Sequence, residues 1–329
     1  MKKIVSLIVT VSMILSASAA VFAESSLIQT DEKLNASFAN ALPAGFQLKN
    51  LKSGSVEDPV FSDGVLNIGG NPRYALSSDT VYDMSAYSSY EIVYESALPA
   101  TQNYTYFIFG DYSSGSIHNS DAPLAGNAVE KSYAVGICPG NSSNNAEYKF
   151  YKKLSSATEK EYTKSLAGTS FKYTLKVDLT KMENNVSFYA GDQLIFTESD
   201  PSPITLAKVA IKTCYAKANV KNITLIGHKD YRIAYKIGGA SAAQMGVGTI
   251  SAKLPKAVVS GKAVIFAMYD ADGNLLNAKI VSQEDLENEE ITLFASDSAQ
   301  NTLRAFIWDS LDSMNPQVDD AGNGLAAVK

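Results

Sequence analysis

Glu91 and Glu95 are the two residues whose spacing comes nearest to a catalytic arrangement in this chain of 329 residues. They belong to the alternating run Tyr90–Glu95, and a period of two places both, with Val93, on one face of a strand. Glycoside hydrolysis generally needs one carboxylic acid with a raised pKa and one ionised carboxylate. Because Val93 supplies no third acid between them, we predict a solvated strand face and no catalytic residue.

Tyrosine is the other distinctive residue type, with 18 copies that are concentrated between Tyr74 and Tyr112. A phenol ring has a flat apolar face and a hydroxyl at its edge, which suits the face and rim of a sugar. The following polar loop carries a histidine and acids but no nucleophile motif, so a catalytic triad is unsupported. The candidate ligand-binding residues are Tyr104, Tyr106, Asp111, Tyr112, His118, Asn119 and Asp121. The loop members suit a sugar or a calcium ion, and the alternative is packed tyrosines beside a solvated loop.

Other polar signals favour structural roles. The segment Asp270–Asn274 superficially suggests a calcium loop, but strand-like runs flank it, so a tight hairpin turn is the better interpretation. Cys138 and Cys214 are too few for a zinc site, and either a disulfide or two buried thiols on neighbouring strands is consistent with export. We favour the thiols, and we expect no cofactor apart from a possible structural calcium. Phe306 and Trp308 alternate onto one side of a strand, where we expect core packing.

The first 23 residues have the three parts of a secretory signal peptide. Lys2 and Lys3 precede an apolar run, Ile4–Leu15, and the small-residue triplet Val21–Ala23 offers a cleavage site. The apolar run is too short to span a bilayer comfortably, so we predict export without a retained membrane span. The formal net charge is −6 and becomes more negative after cleavage, which disfavours nucleic acid and anionic membranes as partners.

The remaining chain is long enough for two domains and is patterned as an all-β protein. Short alternating runs rich in Val, Ile, Tyr, Phe and Thr recur between turn residues. Predicted strands before residue 228 include Val65–Ile68, Tyr90–Glu95, Tyr104–Phe109, Ala134–Cys138, Phe171–Val177, Val186–Tyr189, Leu194–Phe196, Val209–Thr213 and Val220–Ile226. About a dozen strands favour a large two-sheet jelly roll over residues 24–228.

This first block resembles laminin-G-like and concanavalin A-like domains over about residues 35–228. The resemblance rests on Phe61–Leu66, the strand Phe171–Asp178, the hairpin Val186–Asp192 and the closing strand Val220–Leu225. It implies a fold and no particular ligand. Glycosidases on this scaffold carry a Glu-x-Asp-x-Glu run, and Val93 departs from that pattern at the central acid.

The pattern loosens between Gly227 and Gly239, which we interpret as a domain boundary. Residues 229–329 contain about six or seven predicted strands, the size of an immunoglobulin-like sandwich. This block resembles the C-terminal accessory modules of secreted clostridial polysaccharide-acting proteins, on the segments Val259–Leu275 and Leu303–Pro316.

Together these features favour a secreted, non-catalytic surface or extracellular protein that binds a polysaccharide or a cell-surface glycan, or acts as an adhesin. The alternative is a polysaccharide hydrolase or lyase on the same scaffold.

Overall fold

The computed structural model describes residues 28–50, 58–69, 74–97, 105–110, 132–138, 145–153, 157–165, 171–213, 217–288, 290–312 and 316–318. Two compact units emerge, a first unit of Thr30–His228 and a second unit that contains the chain from Lys229 onward. Almost all regular structure is antiparallel β-strand, so the predicted all-β fold class is confirmed. No helix in the described ranges has the length and apolar character needed to cross a membrane.

Sheet 1 of the first unit has eight strands within the described residues. They are β1 (Ile28–Ser37), β3 (Val60–Ser62), β4 (Val65–Gly69), β7 (Ser89–Ala97), β12 (Phe171–Asp178), β13 (Val186–Ala190), β14 (Gln193–Glu198) and β16 (Lys217–Asp230). Their order is β14-β13-β12-β7-β16-β4-β3, and β1 also pairs with β16.

Sheet 2 of the first unit also has eight strands in the part of the chain described. They are β2 (Phe46–Asn50), β5 (Tyr74–Ser78), β6 (Tyr82–Asp83), β8 (Thr105–Gly110), β9 (Ser132–Cys138), β10 (Asn145–Lys153), β11 (Ala157–Ser165) and β15 (Leu206–Thr213). The order is β11-β10-β9-β8-β15-β5-β2, with β6 beside β15. The inward residues of both sheets form one shared core, which makes the unit a two-sheet jelly-roll sandwich.

Tyrosine is unusually prominent in this core. The rings of five tyrosines lie between the sheets and are almost entirely inaccessible to water: Tyr90, Tyr94, Tyr133, Tyr148 and Tyr173. The Tyr94 hydroxyl links the two sheets, because it donates a hydrogen bond to the carbonyl of Ile108 at 3.0 Å. Burial raises the pKa of all five phenols above their ordinary value.

A fully buried carboxylate, Asp200, organises the loop between β14 and β15. Its Oδ2 accepts a hydrogen bond from the hydroxyl of Tyr133 at 2.6 Å, and its Oδ1 accepts one from the backbone of Ser202 at 3.1 Å. The side chain of Asn185 bonds both backbone polar groups of Asp200, at 2.7 and 2.8 Å. Lys152 Nζ lies 3.9 Å from the same carboxylate. These bonds compensate the burial of a charge, which is otherwise costly.

Gly227 of β16 allows close approach of an aromatic ring. A Cβ at this position would lie 2.4 Å from ring atoms of Tyr87. The ring has little freedom to move aside, because its hydroxyl donates to Asp31 and the ammonium of Lys33 lies 5.4 Å from the ring centre.

We therefore expect Gly227→Ala to lower the free energy of unfolding by about 1–3 kcal/mol, the range for forcing extra volume into a packed site. Chemical denaturation followed by circular dichroism measures the change. Gly64→Ala is the comparison, because Gly64 has a left-handed backbone conformation and open space around it. That substitution introduces backbone strain without a steric clash. A Gly227→Ala chain as stable as wild type would contradict the expectation.

The second unit consists of two four-stranded sheets within its described residues. Sheet 3 has the order β18-β17-β19-β22 and sheet 4 the order β21-β20-β23-β24. The strands are β17 (Ala234–Ile237), β18 (Ala240–Ala242), β19 (Gly248–Lys253), β20 (Ala263–Tyr269), β21 (Leu275–Ile280), β22 (Ile291–Ser296), β23 (Thr302–Trp308) and β24 (Pro316–Val318). Residues from both sheets share one buried cluster, so the unit is a small sandwich. Its assignment to the immunoglobulin-like class stays a prediction.

Two short helices connect strands of the second unit, α1 (Lys256–Val259) and α2 (Gln283–Glu287). Ser282 caps α2 in a reciprocal capping box with Asp285. Phe306 and Trp308 are buried on one face of β23, as the alternation predicts, but they lie outside the core between the two sheets. They pack with Ala263 and Ile265 on the face of sheet 4 opposite the core between the sheets.

Candidate functional site

The outward face of sheet 1 carries the two carboxylates that the sequence singles out. Tyr90, Ile92 and Tyr94 of β7 point into the core, so Glu91 and Glu95 face outward, as predicted. Each is beside an ammonium: Glu91 lies 3.2 Å from Lys176 of β12, and Glu95 lies 4.0 Å from Lys221 of β16. Both carboxylates are therefore partly exposed and paired with lysines, and the absence of a catalytic role stays a prediction.

Between these charged side chains, uncharged side chains form a continuous row across five strands. The register pairs Leu194 with Tyr189, Tyr189 with Thr174, Thr174 with Val93, and Val93 with Thr224. Four strand-to-strand steps give the row a length of about 19 Å. We call this row, with the residues on either side of it, the trough.

The neighbouring rows carry longer side chains that form the walls of the trough. One wall has Lys176 opposite Glu91, and the other has Lys172 opposite Glu95 and then Asn222. Thr174 and Val93 are only 6% and 7% exposed, whereas Leu194 is 44% exposed. The middle of the row is therefore nearly inaccessible to solvent, and its Leu194 end is open.

Tyr189 lies near the open end of the trough and is half-buried. Lys176 Nζ is 5.5 Å from the centre of its ring, a distance at which the cation is attracted to the aromatic face. The ring lies beside Thr174 and diagonally between Lys172 and Lys176. An aromatic face bordered by hydroxyl, ammonium and carboxylate groups can stack on a sugar ring and bond its rim hydroxyls.

Asp178, the last residue of β12 and part of the laminin-G-like resemblance, has a structural role. Burial opposes its ionisation, but hydrogen bonds from Lys181 and Thr180 outweigh that effect and lower the pKa of the carboxyl. Its Oδ1 accepts from the backbone and hydroxyl of Thr180 at 2.9 and 2.6 Å. Asp178 therefore fixes the turn into the β12–β13 hairpin.

Of the seven ligand-binding candidates from the sequence, only Tyr106 lies within the described residues. The other six, Tyr104, Asp111, Tyr112, His118, Asn119 and Asp121, lie outside them. Tyr106 is on the outward side of β8 but is only 4% exposed, with its ring centre 6.2 Å from that of Tyr151. Lys212, opposite Tyr106 in register, is fully buried on the same side of sheet 2. A ligand contact at Tyr106 stays a prediction, as do the contacts of the six residues outside the described ranges.

The hydrolase alternative would draw on Glu91 and Glu95. A glycosidase acid is usually kept protonated by an apolar pocket or by a nearby second carboxylate. In the described structure Glu91 and Glu95 lie beside lysines on an open sheet face, and Val93 occupies the position between them. The arrangement suits binding better than acid–base chemistry.

The segment Asp270–Asn274 forms the hairpin turn that was predicted. The carboxylate of Asp270 accepts from the backbone N–H groups of Asp272 and Asn274, at 2.9 and 2.8 Å, so the turn itself uses these acceptors. The pKa of Asp270 is lowered, first by a hydrogen bond from the side-chain amide of Asn274 at 3.0 Å and then by the bond from its backbone N–H. The described residues contain no group of three or more His, Cys, Asp or Glu side chains arranged to hold a metal ion.

Cys138 is a free, buried thiol at the end of β9. Cys214 lies outside the described residues. The placement of the two thiols on neighbouring strands therefore stays a prediction.

No protein-family model matches this sequence, and no curated protein matches it. Among solved structures, the chain is similar to a protein of unknown function with a galectin-like fold from Bacillus subtilis. That structure is 8% identical, with 61% of this chain and 99% of the other covered at a TM-score of 0.46.

Two further structures are similar at the same level. The Emp47p carbohydrate recognition domain is 9% identical, with 63% of this chain and 99% of that chain covered at a TM-score of 0.44. A Bacillus licheniformis β-glucanase is 12% identical, with 60% and 99% covered at a TM-score of 0.41.

Proposed function

We propose that this protein is a secreted, non-catalytic protein that binds carbohydrate through the trough on sheet 1. The observation that carries the proposal is the register that aligns Tyr189, Thr174, Val93 and Thr224 in one row between charged walls. A row about 19 Å long that crosses five strands suits an extended polymer segment better than a single sugar.

Each part of the trough has a role in this proposal. The ring of Tyr189 stacks on the apolar face of a sugar, and the hydroxyls of Thr174 and Thr224 border the floor. Asn222 and the ion-paired walls supply donors and acceptors for sugar hydroxyls, as in polar binding sites generally. Glu91 and Glu95 each pair with a lysine. In this proposal they accept hydrogen bonds from the sugar and take no part in catalysis.

The leader in residues 1–23 and the laminin-G-like resemblance support an extracellular setting, on or near a cell surface. The second unit then acts as an accessory or spacer module beside the binding unit, in line with its resemblance to clostridial accessory modules.

We expect Tyr189→Ala to weaken polysaccharide binding by the full chain about five- to tenfold, because it removes the stacking face. Pull-down with insoluble plant, fungal and bacterial wall polymers, followed by binding isotherms, measures the loss. Tyr189→Phe is the matched control, since it keeps the ring and should retain most of the affinity. Equal binding by Tyr189→Ala and wild type would exclude the trough as the binding site.

The same polymers distinguish binding from catalysis. Release of reducing ends or unsaturated products by the wild-type chain, abolished in Glu91→Gln or Glu95→Gln, would replace the binding proposal with the hydrolase or lyase alternative. The single observation in favour of that alternative is the outward placement of both carboxylates on one strand.

A further inference from the structure

Lysines outnumber carboxylates along the trough, although the whole protein is acidic. The walls hold Lys172 and Lys176 with Glu91 and Glu95, and Lys221 lies 4.0 Å from Glu95 at the margin of the trough. The formal net charge of the chain is −6. The trough therefore differs in sign from the average charge of the protein.

The three lysines are not equivalent. Lys176 pairs with Glu91 at 3.2 Å and also lies over the ring of Tyr189, while Lys221 is within 4.0 Å of Glu95. Lys172 is exposed and lies opposite Glu95 in register, yet no carboxylate in the described structure is within ion-pairing distance of its ammonium. Lys172 is thus the wall cation that is free to take an anion from outside.

The position of Lys172 relative to the aromatic face suggests which anion it would meet. Lys172 and Lys176 are two residues to either side of Thr174 on β12, and Thr174 is the register partner of Tyr189. A sugar stacked on Tyr189 therefore has its rim directed toward both ammonium groups, one already paired and one unpaired. A carboxylate on the edge of that sugar would pair with the unpaired ammonium of the wall, that of Lys172.

We propose that the trough selects acidic linear polysaccharides, in which uronate carboxylates pair with Lys172 while sugar rings lie along the row from Tyr189 to Thr224. This inference rests on the proposed carbohydrate-binding function and narrows it to a ligand class. The attraction operates at short range, because a Debye length of about 8 Å at physiological ionic strength screens the acidic remainder of the protein.

The test compares polygalacturonate with the same polymer after chemical reduction of its carboxylates to alcohols, using the full chain in affinity electrophoresis. We expect the acidic form to bind at least fivefold more tightly at 50 mM salt, with the difference shrinking as salt is raised. Lys172→Ala should weaken binding of the acidic polymer about three- to fivefold, as expected for an exposed charge pair, and leave binding of the reduced polymer within twofold.

Lys49→Ala is the charge-matched control, because Lys49 is an exposed lysine on β2 of sheet 2. It should leave the affinity for the acidic polymer within twofold of wild type. Equal affinity for both polymer forms, or equal losses in Lys172→Ala and Lys49→Ala, would overturn the acidic-ligand inference while leaving carbohydrate binding intact. Retention of neither polymer form, with neutral wall polymers also unbound, would overturn both the inference and the proposed function.

Discussion

Asp200→Ala should destabilise the first unit by about 3–5 kcal/mol, the usual cost of breaking a buried, hydrogen-bonded charge network. The change removes the acceptor of the Tyr133 hydroxyl, which lies 2.6 Å away, and of the Ser202 N–H. It also leaves the ammonium of Lys152 without the carboxylate 3.9 Å away. The Asn185 bonds to the backbone of Asp200 survive the substitution and cannot compensate for these losses.

Denaturant unfolding followed by near-ultraviolet circular dichroism measures the effect through the buried tyrosines. Trp308 is the single tryptophan and belongs to the second unit, so its emission on excitation at 295 nm follows that unit separately. Asp200→Asn should cost less, about 1–2 kcal/mol, since the amide oxygen still accepts from Tyr133. A double-mutant cycle with Tyr133→Phe should show a coupling energy above about 1 kcal/mol. An unchanged unfolding midpoint in Asp200→Ala would mean that the network contributes no net stability.

Alkaline pH should unfold the first unit steeply above about pH 10. The pKa values of Tyr90, Tyr94, Tyr133, Tyr148 and Tyr173 are all raised in the folded state, chiefly by burial. The unfolded chain therefore loses these protons at lower pH than the folded chain does. The free energy of unfolding that depends on these protonated phenols is therefore fully present below the ordinary phenol pKa. It decreases as the pH rises beyond that value.

The slope of this loss approaches about 1.4 kcal/mol per pH unit for each phenol, or about 7 kcal/mol per pH unit for five. A typical stability of about 5–15 kcal/mol would then be exhausted within about two pH units. The tyrosinate absorbance at 295 nm and the loss of near-ultraviolet circular dichroism should rise together as one cooperative transition.

Tyr148→Phe offers a sharp control for the alkaline transition. The Tyr148 hydroxyl is buried and has no hydrogen-bond partner among the residues that the structure describes. Its removal should maintain or raise stability at neutral pH and make the alkaline transition less steep, whereas Tyr133→Phe should destabilise the chain at all pH values. Titration of these core phenols near pH 10 with an intact dichroism spectrum would contradict their burial.

Alternation along the chain was sufficient to predict most strands of the fold. Runs such as Tyr90–Glu95 and Phe171–Val177 are strands in the structure because their inward residues meet a core. The hairpin of β10 and β11 was missed. Its residues 145–153 and 157–165 are rich in Lys and Glu, and the apolar members Tyr148 and Phe150 are too few to dominate the pattern.

The candidate site was harder to predict, because it depends on which strands are neighbours. Tyr189 and Val93 are almost one hundred residues apart in sequence, and only the order β13-β12-β7 brings them into one row. Alternation correctly placed Glu91 and Glu95 outward but did not reveal the lysines opposite them. Tyrosine abundance was also ambiguous, since a phenol ring suits both a core and a sugar site, and many tyrosines turned out to be core residues.

The position of β11 at one margin of sheet 2 has a consequence for solubility. A terminal strand exposes unpaired backbone groups that can recruit a strand from another molecule and start aggregation. The sequence of β11 includes Glu159, Lys160, Glu161 and Lys164, and charged residues in a terminal strand disfavour the addition of a further strand from another molecule.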